Sequence, residues 1–417
     1  MVKLFKRLNF KYWVVIIAVL LCCPYFLYAL PDGESIIEGT ATFDRSEPNT
    51  LKINTSSDKL IVEYTGFNIS TNESVFFIQP SANSVALNRV TGSSISDISG
   101  LLSANGIIYL INPNGINISP NARIDVAALV ASTLNISNAD FLSGKFDFYK
   151  VLGKNGYIVN QGNIIVRNGG FVALLSQAIE NKGSIIANLG TVVLASGEKM
   201  TLALDDLNEI SVVIDEAVKD VVLGPNGEKV LSAVKNSGTI TANGGKVILT
   251  AKVLNNVFDY AINNTGIIEA KSVVNKNGLI ELVASGAPIV NTGTLNAGTV
   301  KVDAKDTIFI NKGKVIAGAE STVDASGKIA ILANTLVQGG LISADKLVTI
   351  EAEDISVVLD YTPLAMEIDP VLNTSPGVII QAPQVKIIAR QFGSSAAPLN
   401  INAALTYINR TQGDINI

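Results

Sequence analysis

The residues able to do chemistry in this chain are carboxylates, amines and hydroxyls, because its 417 residues include no histidine and only two cysteines, Cys22 and Cys23. Both cysteines lie in an amino-terminal apolar run, which excludes histidine catalysis, imidazole-ligated metals, thiolate nucleophiles and a disulfide framework from the rest. Acid pairs remain. A glycosidase or polysaccharide lyase needs two carboxylates a few ångströms apart on one face, and the candidates are Asp205, Asp206, Asp215 and Glu216 in one stretch and Asp354, Asp360 and Asp369 in another. Adjacent acids such as Asp205 and Asp206 ordinarily mark a solvated loop, so no catalytic residue is assigned. No calcium nonapeptide occurs either: the glycine pairs that begin at 169, 244 and 339 run on into Phe171, Lys246 and Leu341. Trp13 is the one tryptophan, and its place in the leader disfavours an aromatic platform for sugars. No metal, cofactor or small-molecule substrate is expected.

With 48% hydrophobic and 16% charged residues, the chain has the makings of a folded core and not of a disordered segment. The formal net charge is −5, and Lys3, Lys6, Arg7 and Lys11 are all in the leader; removing those four leaves 27 basic against 36 acidic residues. An acidic chain without a basic cluster is unsuited to a phosphate backbone, so nucleic acid is excluded as a partner.

Residues 1–29 have the layout of a secretory signal peptide: a basic start, an apolar run from Trp13 to Cys23, then Pro24 and a small residue at Ala29. An uncleaved anchor over Tyr12 to Ala29 is the competing reading. A lipidated cysteine fits less well, since Cys22 follows Leu21 without the expected small residue.

What must position any functional group downstream is a repeat. The phrase Asn, any residue, Gly, any residue, aliphatic recurs at Asn160 and Gly162, Asn181 and Gly183, Asn236 and Gly238, Asn264 and Gly266, Asn291 and Gly293, and Asn311 and Gly313, with a degenerate copy at Gln338 and Gly340. The intervals are 21, 55, 28, 27, 20 and 27 residues. Glycine followed by alternating aliphatics comes next in most units, as in Gly245-Lys-Val247-Ile-Leu249. Short period-two runs separated by Asn-Gly turn chemistry cannot bury an apolar face alone, but stacked about 4.8 Å apart they cover one another, which predicts a parallel β-solenoid. At about 24 residues per coil, the exported chain would form on the order of 16 coils and a rod of roughly 75 Å. The asparagines are expected to stack into a ladder, with asparagine and glycine at corners that need left-handed backbone. Two packed antiparallel sheets are the alternative, although sandwiches lack a fixed phrase at a fixed period. The 55-residue interval predicts an insertion near residues 199–235 projecting from the rod. The alternating segment from Ile36 to Gln79 is the candidate cap over the first open edge.

Between residues 76 and 133 the chain reads Phe-Phe-Ile-Gln-Pro-Ser-Ala-Asn-Ser-Val-Ala-Leu-Asn-Arg-Val-Thr-Gly, then Leu-Ser-Ala-Asn-Gly-Ile-Ile-Tyr-Leu-Ile-Asn-Pro-Asn-Gly-Ile, then Val-Ala-Ala-Leu-Val-Ala-Ser-Thr. This resembles the amino-terminal two-partner secretion domain of the filamentous haemagglutinin family, and the likeness runs over about residues 32 to 270. The resemblance implies an all-β, right-handed parallel β-helix whose first part is a secretion signal read by the POTRA domains of an outer-membrane barrel transporter. It marks Asn112, Pro113, Asn114 and Gly115 as the secretion tetrad and places Gln79, Pro80, Asn88 and Arg89 in the family phrase at the cap. The second tetrad of the family, Asn-Pro-Asn-Leu, is absent. Read from the residues alone, Asn112 to Gly115 is a stiff turn between a strand at 107–111 and one at 116–118, and Arg89 is a solvated partner in a surface charge pair.

The expected organisation is a signal peptide over 1–29, a secretion domain over 30–270, further β-helix repeats over 271–350, and irregular terminal coils or the start of a stalk over 351–417. The expected function is a secreted, non-enzymatic exoprotein acting as an adhesin toward an unidentified host or cell-surface receptor. A β-helix lyase or glycosidase and a purely structural surface protein are the alternatives.

Overall fold

The computed structural model describes residues 30–204, 210–224, 227–273, 276–318, 327–357, 380–392 and 399–410. The leader over 1–29, the acids Asp205 and Asp206, and Asp360 and Asp369 lie outside the described residues.

Alternation dictates the architecture. In strand Leu279–Ser285 the residues Ile280, Leu282 and Ala284 point inward while their neighbours do not. The same register position in the coils before and after is again aliphatic: Val247, Ile280, Val300 and Ile329 stack in parallel. A second column runs through Ile185, Ile240, Ile268, Leu295, Val315 and Ile342, each completely buried. Burying each such side chain contributes about 1.5–3 kcal/mol relative to leaving it in water, which no isolated coil could obtain.

Each coil carries a broad strand, a strand ending in the recurring asparagine and a short strand, and each kind stacks on its own kind. The result is a parallel β-helix with one continuous aliphatic interior, and the sandwich alternative falls because almost all pairing between coils is parallel. From Thr299–Asn311 onward the broad and asparagine strands fuse into one, since that 13-residue strand pairs at its start with Leu279–Ser285 and at its end with Ile289–Asn291.

Two antiparallel strands close the first edges: Ser35–Glu38 on Lys59–Tyr64 and Ala41–Asp44 on Thr50–Thr55. Parallel stacking starts at once, with Thr50–Thr55 on Ser74–Ile78, so the cap is shorter than the segment from Ile36 to Gln79. The short-strand ladder has 14 members among the described residues, of which Ala41–Asp44 alone is antiparallel. At about 4.8 Å per step the parallel members make a rod of roughly 58 Å. This is shorter than the repeat arithmetic suggests because the cap and two excursions consume chain.

Those excursions join. Asn135–Ile136, Phe146–Tyr149, Lys199–Leu204 and Ile210–Glu216 form an antiparallel four-stranded sheet, accompanied by the short helix Asn138–Ser143. Ser137 accepts the Asp140 amide at its start and Gly144 ends it in left-handed backbone at φ 76°. The insertion near residues 199–235 therefore does not project. Its sheet lies on the outer side of the broad ladder, where Phe148, Met200, Leu202 and Ile210 bury a second core against Tyr109, Val130, Ala173 and Val193. The cause is visible in register: Ile61, Leu87, Tyr109, Val130, Ala173, Val193 and Ile248 form one outward apolar column, which then switches to Glu281 and Lys301. Apolar outward residues require a cover, and charged ones do not. No helix among the described residues is long and apolar enough to cross a membrane.

Candidate functional site

The tetrad joins strands Ile107–Ile111 and Ile116–Ile118 in a turn in which the Gly115 amide donates to the Asn112 carbonyl at 3.1 Å. Asn112 is completely buried. Its Nδ2 donates to the Ser94 carbonyl and to Ser96 Oγ, both at 3.0 Å, while its Oδ1 accepts the Asn114 amide at 3.0 Å and Asn114 Nδ2 at 2.9 Å. Asn114 is half-buried, reaches the Gly92 carbonyl at 2.9 Å, and accepts Lys154 Nζ on its Oδ1 at 2.6 Å. Gly115 has φ 134°, and a Cβ there would stand 3.2 Å from Ile95 and 3.3 Å from the Tyr157 carbonyl, so the position combines a glycine backbone with a close approach. Pro113 is half-buried at the rim. The whole corner is held by side-chain bonds to the 92–96 segment, and the reach of Lys154 from the following excursion had no signal in the sequence.

The residues of the cap phrase are also wired inward. Gln79 exchanges its backbone groups with the Asn105 side chain at 2.7 and 2.8 Å and donates Nε2 to the Ser84 carbonyl at 2.8 Å, whereas Pro80 is exposed. Asn88, completely buried, accepts the Tyr64 hydroxyl at 3.2 Å and donates to the Tyr109 carbonyl at 3.2 Å. Arg89 departs from the expectation of a solvated charge. Its side chain is 11% exposed and bonds Glu63 at 3.1 Å, Asn135 Oδ1 at 3.0 Å and the Ile136 carbonyl at 2.7 Å. It thereby occupies the free edge of the covering sheet and ties that edge to the first coil, which explains why it is withdrawn from water.

Further along, Asn160, Asn181, Asn236, Asn264, Asn291, Asn311 and Gln338 are each fully buried at the same register position. Every asparagine Nδ2 donates to the side-chain oxygen of the next rung, at 2.8–2.9 Å up to Asn311 and 3.3 Å from Asn311 to Gln338. The accompanying glycines differ from expectation. Gly162, Gly183, Gly238, Gly266, Gly293 and Gly313 are not among the residues with positive φ. They are glycine because the coils touch there: a Cβ on Gly183, Gly238, Gly266, Gly293 or Gly313 would stand 2.0–2.2 Å from the carbonyl oxygen of the glycine one rung earlier.

The candidate acids form no catalytic pair among the described residues. Asp215 accepts the Thr201 hydroxyl at 3.2 Å. Glu216 is paired with Lys219 at 3.0 Å, which holds its carboxyl below the usual range, and Asp354 is paired with Arg390 at 2.7 Å. A cleft of about 370 Å³ beside Tyr149 and Leu152 is lined by Lys150, Glu198, Glu216 and Asp220. Its charges are spent on one another: Lys150 bonds both Glu198 and Asp220 at 2.8 Å, and although burial opposes its charge, these partners raise its pKa. No group of acids, with or without cysteine, that could hold a metal ion is present among the described residues.

The model of the TPS secretion domain family matches residues 28–297. A heme/hemopexin-binding protein of Haemophilus influenzae is 33% identical over 291 residues, which are 68% of this chain and 30% of that protein. Outer membrane protein B of Rickettsia rickettsii is 25% identical over 305 residues, 68% of this chain and 17% of that protein. The chain thus spans a third or less of the length of the curated relatives it matches. The crystal structure of the HMW1 secretion domain from Haemophilus influenzae superposes with a TM-score of 0.66 at 23% identity, covering 91% of this chain and 100% of that one, a likeness of fold.

Proposed function

This chain belongs to the TPS secretion domain family, and from that premise we propose that its first coils are the signal by which a POTRA-barrel transporter of the outer membrane takes up the exoprotein. The chain is a two-partner secretion domain without enzymatic activity, and such exoproteins pass through the outer membrane to the cell surface or the medium. The observation that carries the proposal is the family match over residues 28–297, within which the corner at Asn112 lies. Asn112 serves export by shaping that corner and not by being touched, since no part of its side chain reaches water and all its polar atoms are bonded. Once outside, the exoprotein acts by binding, as an adhesin toward a cell-surface receptor. Two relatives are named for heme and hemopexin binding; with no histidine anywhere in this chain, imidazole ligation of heme is not open to it, so the adhesin reading is preferred.

The test is export of the chain from a Gram-negative host with and without the cognate transporter, for wild type and Asn112→Ala, alongside melting of the purified proteins. Transporter-dependent wild-type export, with the variant both poorly exported and less stable by about 2–3 kcal/mol, is the expected result. Export indifferent to the transporter rejects the reading, and a variant that is fully stable yet not exported replaces shaping by direct contact.

A further inference from the structure

We propose that Gln338 is a built-in stop for the amide ladder, ending it without a buried orphan donor and so defining the last coil that is locked to its neighbours by side chains. The inference rests on the ladder alone and is independent of the export reading.

The ladder has a direction. Each asparagine donates to the rung after it, so every donor in the series is satisfied by its successor. The rung after Gln338 in register is Val357, whose side chain has no acceptor to offer. An asparagine at 338 would inherit the reach of its predecessors, whose Nδ2 stands 3.3–3.4 Å from the carbonyl of their own following glycine at Asn181, Asn236 and Asn264. Its other N–H would then be left against valine, a buried unmade bond.

The extra methylene of glutamine resolves this. Nε2 turns back onto the Gly340 carbonyl at 2.8 Å, while Oε1 still accepts from Asn311, at the longer distance of 3.3 Å. Neither end of the Gln338 side chain is among the buried polar atoms without a partner. The opposite terminus is closed in the complementary sense: Asn160 follows Ile118 in register, and its Oδ1 accepts the amide of its own Gly162 at 3.2 Å. The amide series is therefore sealed at both ends, and the coils beyond Gln338 are held by backbone pairing and apolar burial only.

The position that departs from the repeat is thus the one where restoring the repeat does harm. Native-state hydrogen exchange of the amides in strand Leu341–Ala344 tests this for the full chain. Gln338→Asn is expected to lower their protection roughly tenfold, and adding Val357→Asn, which supplies the missing acceptor, to recover most of that loss. Protection in Gln338→Asn equal to or above wild type overturns the proposal, as does a double variant no better protected than the single one.

Discussion

The coils before residue 198 and those after residue 232 share one interior but are held in contrasting ways. In the front coils, each fastening is different: Arg89 clasps a sheet edge, Asn112 knots a corner, and a second core lies under the covering sheet. In the back coils, one fastening is repeated, an amide bond and a glycine contact per rung. The front asparagine-column positions are Ile98 and Ile118, so the ladder begins only where the special fastenings end. Individual fastenings make a surface unlike any other along the rod, which suits being recognised. Repeated ones make length at constant stability per coil, since each coil depends chiefly on its neighbours.

The contrast can be broken most severely through the second core. Phe148, completely buried there, should cost about 3–5 kcal/mol when changed to alanine, with exchange rising at Ile107–Ile111 and Phe171–Ser176 while Thr294–Ala297 keeps its protection. Equal losses along the whole rod would mean that front and back are one cooperative unit. A smaller effect sharpens the description of the back coils. Asn236→Ala leaves Asn181 Nδ2 and Asn264 Oδ1 without partners, an expected cost of about 2–3 kcal/mol; Asn160→Ala removes one bond at the ladder's start, where Asn181 can close on its own glycine, and should cost about 1 kcal/mol. Equal melting of the two variants would deny the ladder its ends.

The smallest effect lies at the seam. Burial works against the charge on Glu180, but the Tyr157 hydroxyl at 2.7 Å, Lys235 at 2.9 Å and Lys182 at 3.0 Å outweigh it and hold its carboxyl below the usual range. A depressed carboxyl contributes stability that is complete above its unfolded pKa and is lost as the pH falls through the folded value. Tyr157 belongs to the rung before and Lys235 to the rung after, so the join between front and back should loosen below about pH 4. Glu180→Gln should flatten that acid limb in a thermal melt followed against pH.

The back half was legible in the sequence because its signal is local and recurrent: Asn-x-Gly at each corner and alternation after it report a stacked column directly. The covering sheet was not, since Phe146–Tyr149 finds its partner in Lys199–Leu204 with register such as Phe148 opposite Met200, a pairing between two unrepeated segments. One piece of it left a local trace, Ser137 three residues before Asp140 and Gly144 at the end of the helix, a capping pattern. The tetrad was readable as a turn, but its fastening to Ser94, Ser96 and Lys154 depends on which coils come to lie side by side. The repeat glycines were misread as left-handed because spacing reports where a side chain is missing without saying whether torsion or a neighbouring carbonyl forbids it.

That glycine contact has an evolutionary side. Asparagine and glycine keep a fixed two-residue offset at every corner, whereas the distance from one corner to the next is 20, 27, 28 or 55 residues. An insertion between Asn and Gly would put a side chain against a carbonyl 2.0–2.2 Å away, so that corner cannot drift in length. Growth of such a gene is confined to copying whole coils or to lengthening the opposite turns, and the column of glycines acts as a ruler that keeps duplicated units in phase.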